Sequence, residues 1–177
     1  MKLPAFAFIL CTSFSLAQAQ TFTASLDGAQ DGGGTRQGTG FVTLTLSGNS
    51  LSLSGSFSGL STNMTAGHIH GPAAIGSPAS VIYDLVGPGI LTGTTSGTYN
   101  GTVNLVANPT PNYSLAQQLT DLNAGLWYLN IHDSKFPGGE IRGQILAIPE
   151  PAALPMLTLG AAALLCLQRR RRLQVLQ

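Results

Sequence analysis

The sequence predicts an all-β fold, an antiparallel β-sandwich or barrel of about eight short strands with one short helix, and three observations carry that prediction. Large apolar residues alternate with Ser and Thr in short runs, the two-residue period of a strand with one buried face. Gly, Asn and Pro punctuate the runs, as tight turns require. A single stretch, around Leu115 to Leu122, carries its apolar residues at helical spacing instead.

In chain order, the first strand is expected over residues 22–26. Phe41, Val42, Leu44 and Leu46, interleaved with Thr43 and Thr45, make the second, and Ser47-Gly48-Asn49 marks a turn. Leu51, Leu53 and Phe57 recur at even spacing between serines, so the two runs read as an antiparallel hairpin with one buried face. Further strands are expected over residues 66–70, 81–85, 97–105, 126–132 and 140–146. Leu115, Leu119 and Leu122 form one helical stripe, with Ser114 as N-cap and Gly125 as stop. Leu126, Trp127, Tyr128, Leu129 and Ile131 follow in such close succession that their strand is expected to be central and buried on both faces. Pro137, Gly138 and Gly139 then turn the chain back antiparallel.

The two ends read as addresses rather than fold. Residues 1–19 have the parts of a secretory signal peptide: Lys2, an apolar run to Leu16, and small residues at Ala17 and Ala19 for signal peptidase. Cys11 follows the large Leu10, which disfavours a lipoprotein signal. At the other end, Pro149-Glu150-Pro151 precedes an apolar stretch, residues 152–167, and then Arg169, Arg170, Arg171 and Arg172. The stretch reads as a short C-terminal transmembrane helix whose arginines stay on the cytoplasmic side. The order of these parts resembles the PEP-CTERM sorting signal of Gram-negative bacteria. That resemblance implies, for residues 149–177, recognition by an exosortase-type enzyme, removal of the helix, and delivery from an inner-membrane anchored intermediate to the cell surface or extracellular matrix. A plain single-span anchor is the alternative.

Between the ends, residues 20–148 form one expected domain. Both cysteines, Cys11 and Cys166, lie outside it, so packing rather than disulfides must stabilise it. Its basic residues are Arg36, Lys135 and Arg142, against Asp27, Asp31, Asp84, Asp121, Asp133 and Glu140, a net charge of −3. A weakly acidic domain without a basic patch argues against nucleic acid as a partner. No nucleophile elbow, phosphate loop or paired-carboxylate motif is present, which favours a non-catalytic protein. The four aspartates Asp27, Asp31, Asp84 and Asp121 are too scattered for a Ca²⁺ loop.

All three histidines fall in two places. His68 and His70 flank Ile69 on one strand, so both imidazoles share a face. His132 ends another strand. Joined by strand pairing, the three would make a site for Zn²⁺ or Cu²⁺; otherwise they bond backbone and cap loops. Glu140 and Arg142, at i and i+2, read as a solvated ion pair or, for Glu140, as a partner orienting His132.

His68-Ile69-His70-Gly71-Pro72-Ala73, Trp127-Tyr128-Leu129-Asn130-Ile131-His132 and Phe136-Pro137-Gly138-Gly139-Glu140-Ile141-Arg142-Gly143-Gln144 resemble the signature blocks of the CHRD domain, named for its repeats in chordin. The similarity spans about residues 21–146, although Asp31 and glycines stand where the family often has Glu and prolines. It implies the immunoglobulin-like sandwich. The expected function is an exported binding or structural module, touching exopolysaccharide or surface proteins. The alternative is a metal-binding sandwich using His68, His70 and His132, with a redox role open to it.

Overall fold

The computed structural model describes residues 19–85, 87 and 93–149. Ala17, Glu150, Pro151, the apolar stretch 152–167 and Arg169, Arg170, Arg171 and Arg172 lie outside the described residues, while Ala19 and Pro149 are exposed within them. Among the described residues, no helix is long and apolar enough to cross a membrane.

The described residues form nine strands and one helix, in the order β1 (Gln20–Asp27), β2 (Thr39–Ser47), β3 (Ser50–Ser58), β4 (Met64–His70), β5 (Val81–Asp84), β6 (Gly97–Asn104), α1 (Leu115–Asn123), β7 (Tyr128–Asp133), β8 (Ile141–Gln144) and β9 (Leu146–Ala147). All pairings are antiparallel. The hydrogen-bonded path runs β5-β4-β7-β8-β1-β2-β3-β6, with β9 beside β1. β1 is the seam, since it pairs with β2 along its whole length, with β8 at Asp27↔Arg142 and with β9 at Phe22↔Ala147. Opposite the seam, Leu60 N–H donates to Thr95 O and Met64 N–H to Thr94 O, so the segment leading into β6 reaches back to the start of β4. The sheet is thereby nearly closed, a barrel or sandwich around one apolar centre.

The alternation places the core. Phe22, Ala24 and Leu26 on β1 face Val42, Leu44 and Leu46 on β2 and Leu51 and Leu53 on β3, with Ser and Thr turned outward. Gly48-Asn49 makes the two-residue turn between Ser47 and Ser50, with Gly48 in the left-handed region that glycine adopts without strain. Phe57 lies across from Gly40 and Gly97 and packs its ring 5.5 Å from that of Tyr99, filling space that the two glycines leave.

The helix has the expected limits. Ser114 Oγ accepts from Gln117 N–H at 3.2 Å, and Gly125 follows with φ of 69°. Leu122 is buried and Leu115 and Leu119 pack against the core. The fully buried Gln118 is tolerated because every polar atom is used: Nε2 donates to Val106 O and Tyr113 O, and Oε1 accepts from Tyr83 OH. Trp127, also fully buried, donates Nε1–H to Tyr113 OH at 2.6 Å. β7 is buried at all six positions between β4 and β8, as its apolar run predicts.

Candidate metal centre

Strand register assembles what the sequence leaves apart. Across β4 and β7, His68 pairs with Asn130, His70 with Tyr128 and Ala66 with His132. Directly opposed residues in an antiparallel pair share a face. Ile69 and Ile131 therefore point into the core at zero exposure, while His68, His70, Tyr128, Asn130 and His132 line the outer face. On β8, Arg142 lies opposite Asn130 and Gln144 opposite Tyr128, extending this polar face. His70, Asn130, His132, Arg142 and Gln144 are nevertheless buried, because loops cover them.

The three imidazoles converge. One ring nitrogen from each of His68, His70 and His132 lies within 4.8 Å of the other two. His68 Nδ1 stands 3.0 Å from His132 Nε2. Two nitrogens on one tetrahedral ion, each about 2.0–2.1 Å from it, would be separated by roughly 3.3 Å. This pair already stands near the spacing that one shared ion would impose.

Tautomers are set by the covering loops. His132 Nδ1 lies 3.0 Å from Pro137 O, and His70 Nδ1 lies 3.0 Å from Ala79 O. A carbonyl only accepts, so both Nδ1 atoms carry the proton and both Nε2 atoms present lone pairs. This is the outer-shell arrangement that orients metal-binding imidazoles. His70 Nε2 is buried and has no partner among the described residues. Burial lowers the pKa of His70 to about 4, with His68, His132 and Arg142 adding positive repulsion and the Ala79 carbonyl opposing them. Burial, then His132, also lowers that of His68, against Asp84. Both are neutral at pH 7, the form that binds metals.

A second layer fastens loop 71–80 over the centre. The Tyr128 ring stacks on His70 with centroids 4.8 Å apart and planes 2° from parallel, and the Arg142 guanidinium sits 3.4 Å from the centre of the Tyr128 ring. Tyr128 OH accepts from Ala79 N–H, Arg142 Nη2 donates to Ser77 O, and Gln144 Nε2 donates to Ala73 O. On the other side, Arg36 Nε donates to Gly139 O and holds the loop carrying Asp31 against the β7–β8 turn. Burial raises the pKa of Asp31, opposed by Arg36, Arg142 and His132.

Glu140 takes neither expected role. Its carboxylate accepts from Ser61 N–H and Ser61 Oγ, and Arg142 turns to Ser77. Asp133, fully buried beside it, accepts from the Thr62 amide and hydroxyl and from Phe136 N–H. Together the two carboxylates tie down the segment before β4. Sequence reasoning did not find Asn130, Tyr128 or Asp31 at the centre. The i, i+2 spacing Tyr128–Asn130–His132 was the available signal for two of them; Asp31 sits in a loop and left none.

The family model for the CHRD domain matches residues 22–145, which takes in every strand and side chain of this centre. No curated protein shows significant similarity to the chain.

Proposed function

Because this chain belongs to the CHRD-domain family, we propose that its β-domain is an exported, non-catalytic module that holds one Zn²⁺ or Cu²⁺ ion on His68, His70 and His132. The observation that carries the metal reading is the convergence of three ring nitrogens within 4.8 Å, two of them with tautomers fixed by carbonyls. Three imidazoles suit either ion. The immunoglobulin-like form of the sandwich rests on the family resemblance.

Export, exosortase sorting and display at the cell surface or in its matrix rest on Ala17, Ala19, Pro149, Glu150, Pro151 and Arg169 to Arg172. The outward face of β1, β2, β3 and β6 favours a neutral partner such as exopolysaccharide. It aligns Thr21, Thr45, Ser52 and Thr102 in one row and Thr23, Thr43, Ser54 and Asn100 in the next, with no charge among them.

The test is elemental analysis of purified protein after dialysis against Zn²⁺ or Cu²⁺. One equivalent is expected in the wild type and under about a tenth in His70→Ala or His132→Ala, since each removes one of three ligands. Equal metal in the wild type and both variants would end the metal reading. Recovery of the protein from the cytosol alone would end the export reading.

A further inference from the structure

Four buried atoms on the outer face of β4, β7 and β8 and the loop above it have no hydrogen-bond partner among the described residues: His70 Nε2, Asn130 Oδ1, Asp31 Oδ2 and Gln144 Oε1. All four are acceptors. Native proteins leave few such atoms, and a group of them on one face calls for something that supplies protons or positive charge. A metal ion answers for His70 alone.

Asn130 is the atom in the right place to answer for more. It stands opposite His68 in the register and two residues before His132 on β7, so its side chain lies on the face that the three imidazoles share. Its Nδ2 donates to Gly138 O at 3.4 Å, while its buried Oδ1 has no donor among the described residues. Asp31 lies beside it. Its Oδ2 and the Asn130 amide both crowd the position where any side chain at Gly139 would begin, so the glycine permits their approach. Arg36 holds this loop in place but reaches Asp31 only at 3.8 Å.

We infer that the metal keeps a fourth coordination position walled by Asn130 Oδ1 and Asp31 Oδ2, and that this position takes a protic oxygen ligand: water, or the hydroxyl group of a larger molecule. The inference rests on the metal reading above. Three protein ligands plus one exchangeable ligand is the arrangement of an open site, in contrast to a closed structural one. A wall of acceptors selects ligands that bring protons and disfavours aprotic anions such as azide.

The experiment is water-proton relaxation of the Cu²⁺-loaded protein, with Asn130→Leu and Asp31→Asn beside the wild type. The wild type is expected to bind one Cu²⁺ and to enhance relaxation clearly above the metal-free protein, with little loss on adding azide. Asn130→Leu should lose about half of that enhancement, as the bound water loses its acceptor. Its Cu²⁺ affinity should stay within about threefold, whereas losing a group that orients a ligand typically lowers affinity roughly 10–100-fold. Asp31→Asn should shift the enhancement in the same direction by less, and it keeps the test alive if Asn130→Leu does not fold. Bound copper without enhancement in the wild type, or enhancement untouched in the folded variants, overturns the open position and leaves the metal site standing. Absence of stoichiometric copper removes both.

Discussion

Removing the Glu140 carboxylate should be the most damaging single change outside the apolar core. The side chain has zero exposure, and Ser61 gives it two donors, the amide at 2.9 Å from each oxygen and the hydroxyl at 2.7 Å from one. Glu140→Ala takes the acceptor from both donors of the half-buried Ser61, and a donor left without an acceptor costs about 1–3 kcal/mol when buried and less where water reaches it. The bond between Glu140 and Asp133 goes with it, and the total loss is about 3 kcal/mol. For a domain of this size that corresponds to a fall in Tm of roughly 10 °C. Glu140→Gln keeps an acceptor oxygen without the charge and should lose about half as much. Thermal unfolding followed by circular dichroism measures both, and a Ser61→Ala, Glu140→Ala cycle should show coupling of about 1 kcal/mol. If Glu140→Ala lowers Tm by less than about 3 °C, or Gln and Ala are equivalent, the clamp on Ser61 is not what this carboxylate does.

Three further outcomes are expected. Burial works to raise the pKa of Asp133, but bonds from Thr62, with Glu140 and the Phe136 amide, hold it below the ordinary value. Its stabilising contribution is therefore complete above about pH 4 and lost as pH falls through the folded value; the urea midpoint should drop at low pH, and less steeply in Asp133→Asn. Gly139→Ala should destabilise by about 2 kcal/mol, because φ there is 129° and the new methyl group would meet Asp31 and Asn130; a neutral result would show that the loop yields freely. Trp127→Ala should cost about 3–5 kcal/mol, since it empties a fully buried site and removes the indole N–H that bonds the hydroxyl of Tyr113; denaturant unfolding reads this directly, and a loss under about 1 kcal/mol would contradict the packing.

What the sequence disclosed was whatever depends on local spacing. The alternations of β1, β2 and β3 have a two-residue period that no helix shares, and Ser114 and Gly125 bracket α1 by backbone chemistry confined to a few residues. The His68–His70 pair was visible for the same reason. Joining His132 to it required the register of β4 on β7, set by side chains 64 residues apart. Glu140 shows the limit more sharply. Its neighbours in sequence suggested Arg142 and His132, but its bonds go to Ser61, which only the closed sheet brings within reach. Gln118 interrupts the apolar stripe of α1 and is buried all the same, because partners from the β6–α1 loop and β5 converge on it.

The seam strand also dictates an order of events. β1 is made first, yet two of its neighbours, β8 and β9, are made last, with Phe22 meeting Ala147. The β1–β2 hairpin can form early, but the circuit cannot shut until nearly all of the matched segment has been delivered, and such a long loop makes that final step slow. A chain of this topology stays threadable through a narrow passage until its last strand emerges, and then locks.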